Sequence, residues 1–371
     1  MGDLRKASLD LLRFPLAIVV VIVHVLGPDA APVEYSYWYQ NFRLFHGLNQ
    51  FVDAFLRGIS VPIYFFISGF VFFINTDFNK KVYIGKLKNR IKTLLVPYIV
   101  WNTAAILLVV VKQLPIFSSF LSYPGAGLNI SFANIISCFW QDNGLLSPPL
   151  DINATVPVSP FPINAALWFI RDLMLVVIAS PLIYWMIKKL QKIYLVGLGL
   201  IYIYATLNSG IFGITALFFF SWGAFLSINR SDVISAFRPY FKLSFIIYML
   251  LGVLYFLLED CTPISIKYIK LIQSLIGLVF LFDLSSYLLE KKYCKVNAFL
   301  SSASFFIYIT HCLLVHRVTK ILLRLFNPIN DICVTGVYIL SVILTVSVLM
   351  LSFYILKQYF PKLLSLVTGR K

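Results

Sequence analysis

The sequence predicts an all-α fold: a polytopic membrane helical bundle of about ten transmembrane helices, with N- and C-termini cytoplasmic. Three observations carry that prediction. Hydrophobic residues make up 60% and charged residues only 12% of 371 positions, roughly half the charge of an ordinary soluble domain. Apolar runs long enough to cross ~30 Å of hydrocarbon recur along the chain. The basic residues behind the net charge of +16 sit in short clusters between those runs, which marks the cytoplasmic face of a membrane protein and argues against a nucleic-acid partner.

In chain order the predicted spans cover residues 9–26, 52–74, 94–111, 165–187, 193–207, 211–228, 243–258, 269–289, 299–318 and 333–356. The fifth and sixth are the shortest, joined by a tight hairpin at 208–213. With the N-terminus inside, the inner segments hold 21 Lys and Arg and the outer segments 8, which orients every span. A cleavable signal peptide is the competing reading of the first run. Arg13 and His24 lie inside that run and argue against it.

The chain reads as one integral membrane domain over 1–371, with a long outer loop at 112–164 and no appended soluble domain. Beyond Lys112 that loop has no basic residue, and a loop of this length suits a cap over a binding site as well as a connector. The five cysteines are scattered without metal-ligand spacing, so no metal centre is predicted. Cys138 and Cys261 both fall on the outer side, where a disulfide can form.

Arg13 and His24 are the residues hardest to place in hydrocarbon. Eleven positions apart, they lie only ~20° apart around a helix and ~16 Å apart along it. An Arg near a span end commonly snorkels to the headgroups, and a buried His can be a packed residue with satisfied hydrogen bonds. Together on one face they suggest a site, and the imidazole titrates where a general base works. The cluster Lys86, Lys88, Arg90 and Lys92 reads as a positive-inside signal that also suits the phosphates of a donor. Arg171 and Asp172 form an adjacent ion pair at the start of the fourth span, with structural and substrate roles equally open. Ser68-Gly69 in an aromatic run reads first as a close-packing point, with a Ser68 nucleophile the lesser alternative. His311 is a second intramembrane imidazole.

As a set these residues resemble the acyltransferase-3 family of integral membrane O-acyltransferases, of the bacterial surface-glycan acetyltransferase type. The likeness rests on Arg13-x10-His24, Phe66-Ile-Ser68-Gly69-Phe70, Arg90 leading to Pro97-Tyr98 and Trp101, Leu167-Trp168-Phe169 with Ser180-Pro181, and Phe306-Ile307-Tyr308 leading to His311. These motifs run in order over nearly the whole chain. One position departs: where the family often repeats its arginine three residues after Arg90, this chain has Thr93, with Lys92 beside it.

The resemblance implies transfer of an acyl group, most often acetyl, from cytosolic acyl-CoA to a hydroxyl of a lipid-linked or extracytoplasmic sugar. It implies a multi-pass protein of the bacterial plasma (inner) membrane. His24 and Arg13 are then the catalytic residues. Arg13, Arg90, Lys92 and Lys88 are expected to bind the donor, and Ser68, Trp168, Arg171, Asp172 and His311 to line the acceptor cavity. No permanently bound cofactor is expected; acetyl-CoA is the donor substrate, and membrane lipid and a glycan are the other partners. An extended pantetheine arm is comparable in length to the Arg13–His24 separation. A transporter or flippase for a lipid-linked sugar is the alternative, permitted by the intramembrane charges and disfavoured by the lack of a visible internal repeat.

Overall fold

The computed structural model describes residues 2–25, 35–112, 127–128, 131–141, 146–147, 160–208, 213–258 and 263–369. Helix α1 (Gly2–Val25) is followed by α2 (Tyr35–Asn41), α3 (Arg43–Phe55), α4 (Ser60–Phe73), α5 (Lys80–Arg90) and α6 (Val96–Lys112). A short α7 (Phe132–Ser137) leads to α8 (Trp168–Ile178), α9 (Ser180–Leu190), α10 (Lys192–Leu207) and α11 (Ile214–Ile228). The chain continues through α12 (Val233–Phe237), α13 (Phe241–Leu257), α14 (Pro263–Glu290), α15 (Ala298–Phe326), α16 (Asp331–Tyr359) and α17 (Pro361–Thr368). The strands are a two-residue antiparallel pair, Gly127–Leu128 against Leu146–Ser147, with Gly127 opposite Ser147.

The all-α membrane bundle is as predicted. Among the described residues, seven helical segments are long and apolar enough to cross a membrane, and a bent pair makes an eighth. The helices α10 and α11 are apolar but shorter, at 16 and 15 residues. The predicted segments differ from the helices mainly at their ends. The second begins at Arg43 rather than 52, and is interrupted between Phe55 and Ser60, where Gly58 takes φ +93. The third reaches back to Lys80, so the Lys86–Lys92 cluster is helical and not a loop. The fourth is bent by 60° between Ile178 and Ser180. Residues 26–34 and most of 113–159 lie outside the described residues, as do the 209–212 part of the predicted hairpin and Cys261 of the suggested disulfide.

Local chemistry explains several of these boundaries. Asn79, Asn297 and Asn330 each accept a backbone N–H of the helix they open, as good N-caps do. Between α5 and α6 the backbone widens into a π-turn, Ile91–Leu95. Pro97 lies immediately beyond it; in a regular α-helix its ring would press on the carbonyl of Thr93, and the wider turn relieves that crowding. Asp331, which opens α16, accepts the backbone N–H groups of Leu44 and Phe45 at 2.7 and 2.9 Å. It thereby places a negative charge at the N-terminus of α3.

The close crossing of α4 on α11 is made by two glycines. A Cβ on Gly69 would collide with the carbonyl of Phe220, and a Cβ on Gly223 with the backbone of Phe66 and Phe70. Small residues that let two backbones touch are the usual means of helix association in lipid, so Gly69 is the packing point expected of it. Around this crossing Phe66, Phe70, Phe219, Phe220 and Phe282 form the centre of the larger core. Helix α1 packs between that core and a second one built with α15 and α16.

Part of the 112–164 segment folds back into the bundle. The Tyr98 hydroxyl donates to the carbonyl of Phe139, although Tyr98 lies fourteen residues, or ~21 Å, before the end of α6. Cys138 and Phe139 pack with Ile106, Val109 and Ile163. Ile163 N–H donates to Cys138 O at 2.9 Å, and Asn164 reaches Ile309 O of α15 at 3.0 Å. Residues 131–141 and 160–164 therefore pack into the bundle beside α6 and α15, next to the start of α8.

Candidate active site

Of the cavities that border α1, one contains Arg13 and another His24. The first, about 160 Å³, is lined by Arg13, Ser68 and Arg90, with Tyr64, Phe169 and Tyr308 forming its wall. It lies toward the end of the bundle that carries α5. Arg13 is 2.6 Å from Asp10, three residues earlier on the same helix. The guanidinium of Arg90 stacks over Phe72 at 5.9 Å. The structure thus joins Arg13 to Arg90 across 77 residues of sequence. Lys88 and Lys92 are exposed and border neither cavity.

The second cavity, about 360 Å³, contains His24 with Trp168, Ser60, Tyr202, Ser274 and Lys270. His24 and His311 meet edge to face with ring centroids 4.8 Å apart. His24 Nδ1 lies 2.8 Å from Val20 O, and His311 Nδ1 lies 2.6 Å from Tyr308 O. A carbonyl oxygen only accepts, so each Nδ1 carries a proton and Nε2 is the position at which each ring gains or loses one. The anchored Nδ1 fixes the ring orientation. His311 is fully buried, and its Nε2 is 3.3 Å from Cys312 Sγ. His24, His311 and Cys312 have ligand atoms all within 4.8 Å of one another, residue types that bind zinc. The Cys312 contact, however, already engages Nε2 of His311.

The aromatic wall of the Arg13 cavity extends toward His311, whose ring lies 5.9 Å from that of Tyr308. Tyr64, Phe169 and Tyr308 contact one another with centroid distances of 5.9, 5.9 and 5.5 Å. Their hydroxyls are tied down, Tyr64 to Arg13 O and Tyr308 to Ala166 O, both at 2.7 Å. The neighbours Trp168 and Phe169 line one cavity each.

Ser68 borders the Arg13 cavity, and its hydroxyl donates to Tyr64 O of its own helix at 2.7 Å. Asp172 lines neither cavity, and Arg171 instead borders a third one, of about 460 Å³, with Arg90, Tyr98 and Trp140. Arg171 and Asp172 are 2% and 3% exposed and pair with each other at 3.0 Å. Arg171 also donates to the carbonyls of Trp140 and Pro160 at 2.5 and 3.1 Å and stacks on the Trp140 ring. Its contacts are those of a clamp on the segments at Trp140 and Pro160.

Sequence reasoning passed over Asp10, Ser60, Tyr64 and Lys270 as site residues, and named Phe169 only as part of the Leu167-Trp168-Phe169 motif. Asp10 had a usable signal, an acid three residues before Arg13, on the same helix face. Lys270 looked like one more outer cation, and Ser60 had no signal at all.

A family model described as an acyltransferase domain, Acyl_transf_3, matches residues 6–356. The succinoglycan biosynthesis protein ExoH of Rhizobium meliloti (strain 1021) is 24% identical over 374 aligned residues, covering 99% of this chain and 92% of that protein. No solved structure matches.

Proposed function

The chain belongs to the acyltransferase-3 family, and on that premise we propose that it moves an acyl group, acetyl first among the candidates, from acyl-CoA to a sugar hydroxyl. The similarity to a succinoglycan biosynthesis protein supports a polysaccharide or its lipid-linked precursor as acceptor. The observation that carries the proposal is the placement of two cations and an oriented imidazole in adjoining cavities on one helix. The reading includes ten spans, with α10 and α11 among them, and a bacterial plasma membrane with the α5 end of the bundle in the cytoplasm.

In this scheme CoA enters from the α5 end. Its phosphates meet Arg13 and Arg90, whose guanidinium groups suit such oxygens, while the pantetheine arm passes the Tyr64–Phe169–Tyr308 wall. At the other end His24 Nε2 takes the proton of the acceptor hydroxyl. The hydroxyl oxygen attacks the thioester carbonyl, the C–S bond breaks, and the proton held by His24 passes to the departing CoA thiolate. The Val20 carbonyl steadies the imidazolium through Nδ1–H. Neither substrate need cross the membrane.

Release of free CoA from acetyl-CoA by purified protein, measured with and without a membrane glycolipid fraction, tests the proposal. His24→Ala is expected to lower acceptor-dependent release by roughly 10²–10⁴-fold with the protein still folded in the membrane. Substantial residual transfer in that variant would remove His24 from the mechanism. Because His24 acts as a base and not as a metal ligand, EDTA is expected to leave the rate unchanged; loss restored by zinc would instead assign His24, His311 and Cys312 to a metal.

A further inference from the structure

The His24 cavity contains two donors that the protein does not satisfy. The ammonium of Lys270 is buried and has no hydrogen-bond partner, and so has the hydroxyl of Ser60. Both residues line the cavity. Three other hydroxyls of the lining are engaged: Thr206 donates to Tyr202 O at 2.8 Å, Ser274 to Leu271 O at 2.8 Å, and Tyr202 meets Ser274 at 3.3 Å. Two buried orphan donors in one cavity wall are a specific feature, because a buried polar group left without a partner costs free energy.

Among the described residues the charge of Lys270 is uncompensated as well. The charged side chains whose fields reach it are Asp53 and Arg57. These two are paired with each other, through Arg57 Nε and Asp53 Oδ1, so the three together leave one net positive charge. The ammonium instead rests 4.0 Å from the centroid of the Tyr255 ring. A ring face compensates part of the charge but accepts none of the three N–H donors as an ionised oxygen would. The flexible four-carbon stem lets Lys270 leave the ring for a better partner.

We propose that Lys270 and Ser60 form a carboxylate subsite in the His24 cavity, so that one of the two substrates carries a carboxylate close to the reacting centre. This deepens the acyl-transfer reading and rests on it for the meaning of the cavity. One net charge and one hydroxyl match a monoanionic carboxylate. That group can come from the far end of a dicarboxylic acyl chain on the donor or from an acidic sugar in the acceptor. Either source gives the site selectivity, since a neutral substrate leaves both donors unsatisfied.

The test is binding to the full-length protein in nanodiscs, by calorimetric titration with two pairs of probes: succinyl-CoA against acetyl-CoA, and glucuronate against glucose. In one pair the wild type is expected to favour the carboxylated probe by roughly tenfold or more, the range for a charge-assisted hydrogen bond. Lys270→Met is expected to abolish that preference, Lys270→Arg to keep most of it, and Ser60→Ala to reduce it partly. A preference in the CoA pair assigns the carboxylate to the acyl chain, and one in the sugar pair assigns it to the acceptor. Absence of preference in both pairs, or a preference that survives Lys270→Met, overturns the subsite. CoA release measured in parallel separates the two readings. A carboxylate preference without acceptor-dependent release keeps the subsite and removes the acyl transfer, and release without preference does the reverse.

Discussion

The Arg13 and His24 cavities differ in what their cations already have. Arg13 is matched by Asp10 and lies 31% exposed, and Arg90 stacks on Phe72. Water and counter-ions can reach Arg13, which suits the exchangeable phosphates of a nucleotide carrier. In the other cavity Lys270 holds a buried charge with no hydrogen bond, beside an imidazole fixed by backbone. That arrangement suits a smaller, desolvated group held next to bond-making atoms. One helix thus borders two cavities whose cations are differently matched, with Arg13 and His24 about three turns apart.

The sharpest way to break this comparison is to disturb the residue that serves neither cavity. Arg171→Met leaves Asp172 buried without its partner, a change that costs about 3–5 kcal/mol. The thermal midpoint in detergent is expected to fall clearly, and Arg171→Met with Asp172→Leu to recover much of it. An unchanged midpoint, with loss of substrate binding instead, would move Arg171 from clamp to site.

The Arg13 cavity itself comes next. Arg13→Gln or Arg90→Gln is expected to raise the KM for acetyl-CoA by roughly 10–100-fold, the value of one or two charge-assisted hydrogen bonds, with little change in acceptor KM. Arg13→Lys should recover only part, because an ammonium lacks the planar fork. Equal effects on both substrates would mean that the cavities are not separate in function. Opening the aromatic wall of the Arg13 cavity is a milder change. Phe169→Ala is expected to raise acceptor-independent CoA release by several-fold relative to transfer, as water enters with the thioester; an unaltered ratio would place the barrier to water elsewhere.

The smallest effect belongs to the exposed lysines. Lys88→Gln with Lys92→Gln should change the donor KM by less than about twofold in neutral detergent, since exposed charges are screened. A change as large as that of Arg90→Gln would return both lysines to the donor site. Of the basic cluster, the sequence showed a stretch of cations at one end of a span. Which cation turned inward depended on the π-turn at Ile91–Leu95 and on the packing of α5 against its neighbours.

Much of the framework was legible because it is local. Hydrocarbon excludes unpaired backbone polar groups, so long apolar runs had to be helices, and their order along the chain followed. The helical period alone put Arg13 and His24 on one face of α1, and the small residue Gly69 stood out as a place where backbones touch. The ends of the helices were less legible. A polar extension such as Lys80–Arg90, or the stretch from Arg317 to Phe326, continues a helix without an apolar signal.

What only the tertiary structure decided is which side chains share a space. His24 meets His311 across 287 positions, Arg13 meets Arg90 on another helix, and Arg171 is drawn away from both cavities by the carbonyls of Trp140 and Pro160. Lys270 and Ser60 become a pair only because α4 and α14 present them to one cavity. Composition and periodicity describe one segment at a time, through its own backbone geometry and its preference for lipid. The meeting of residues from different helices depends on crossing angles and close contacts such as Gly69 on Phe220, which are set by all the segments together.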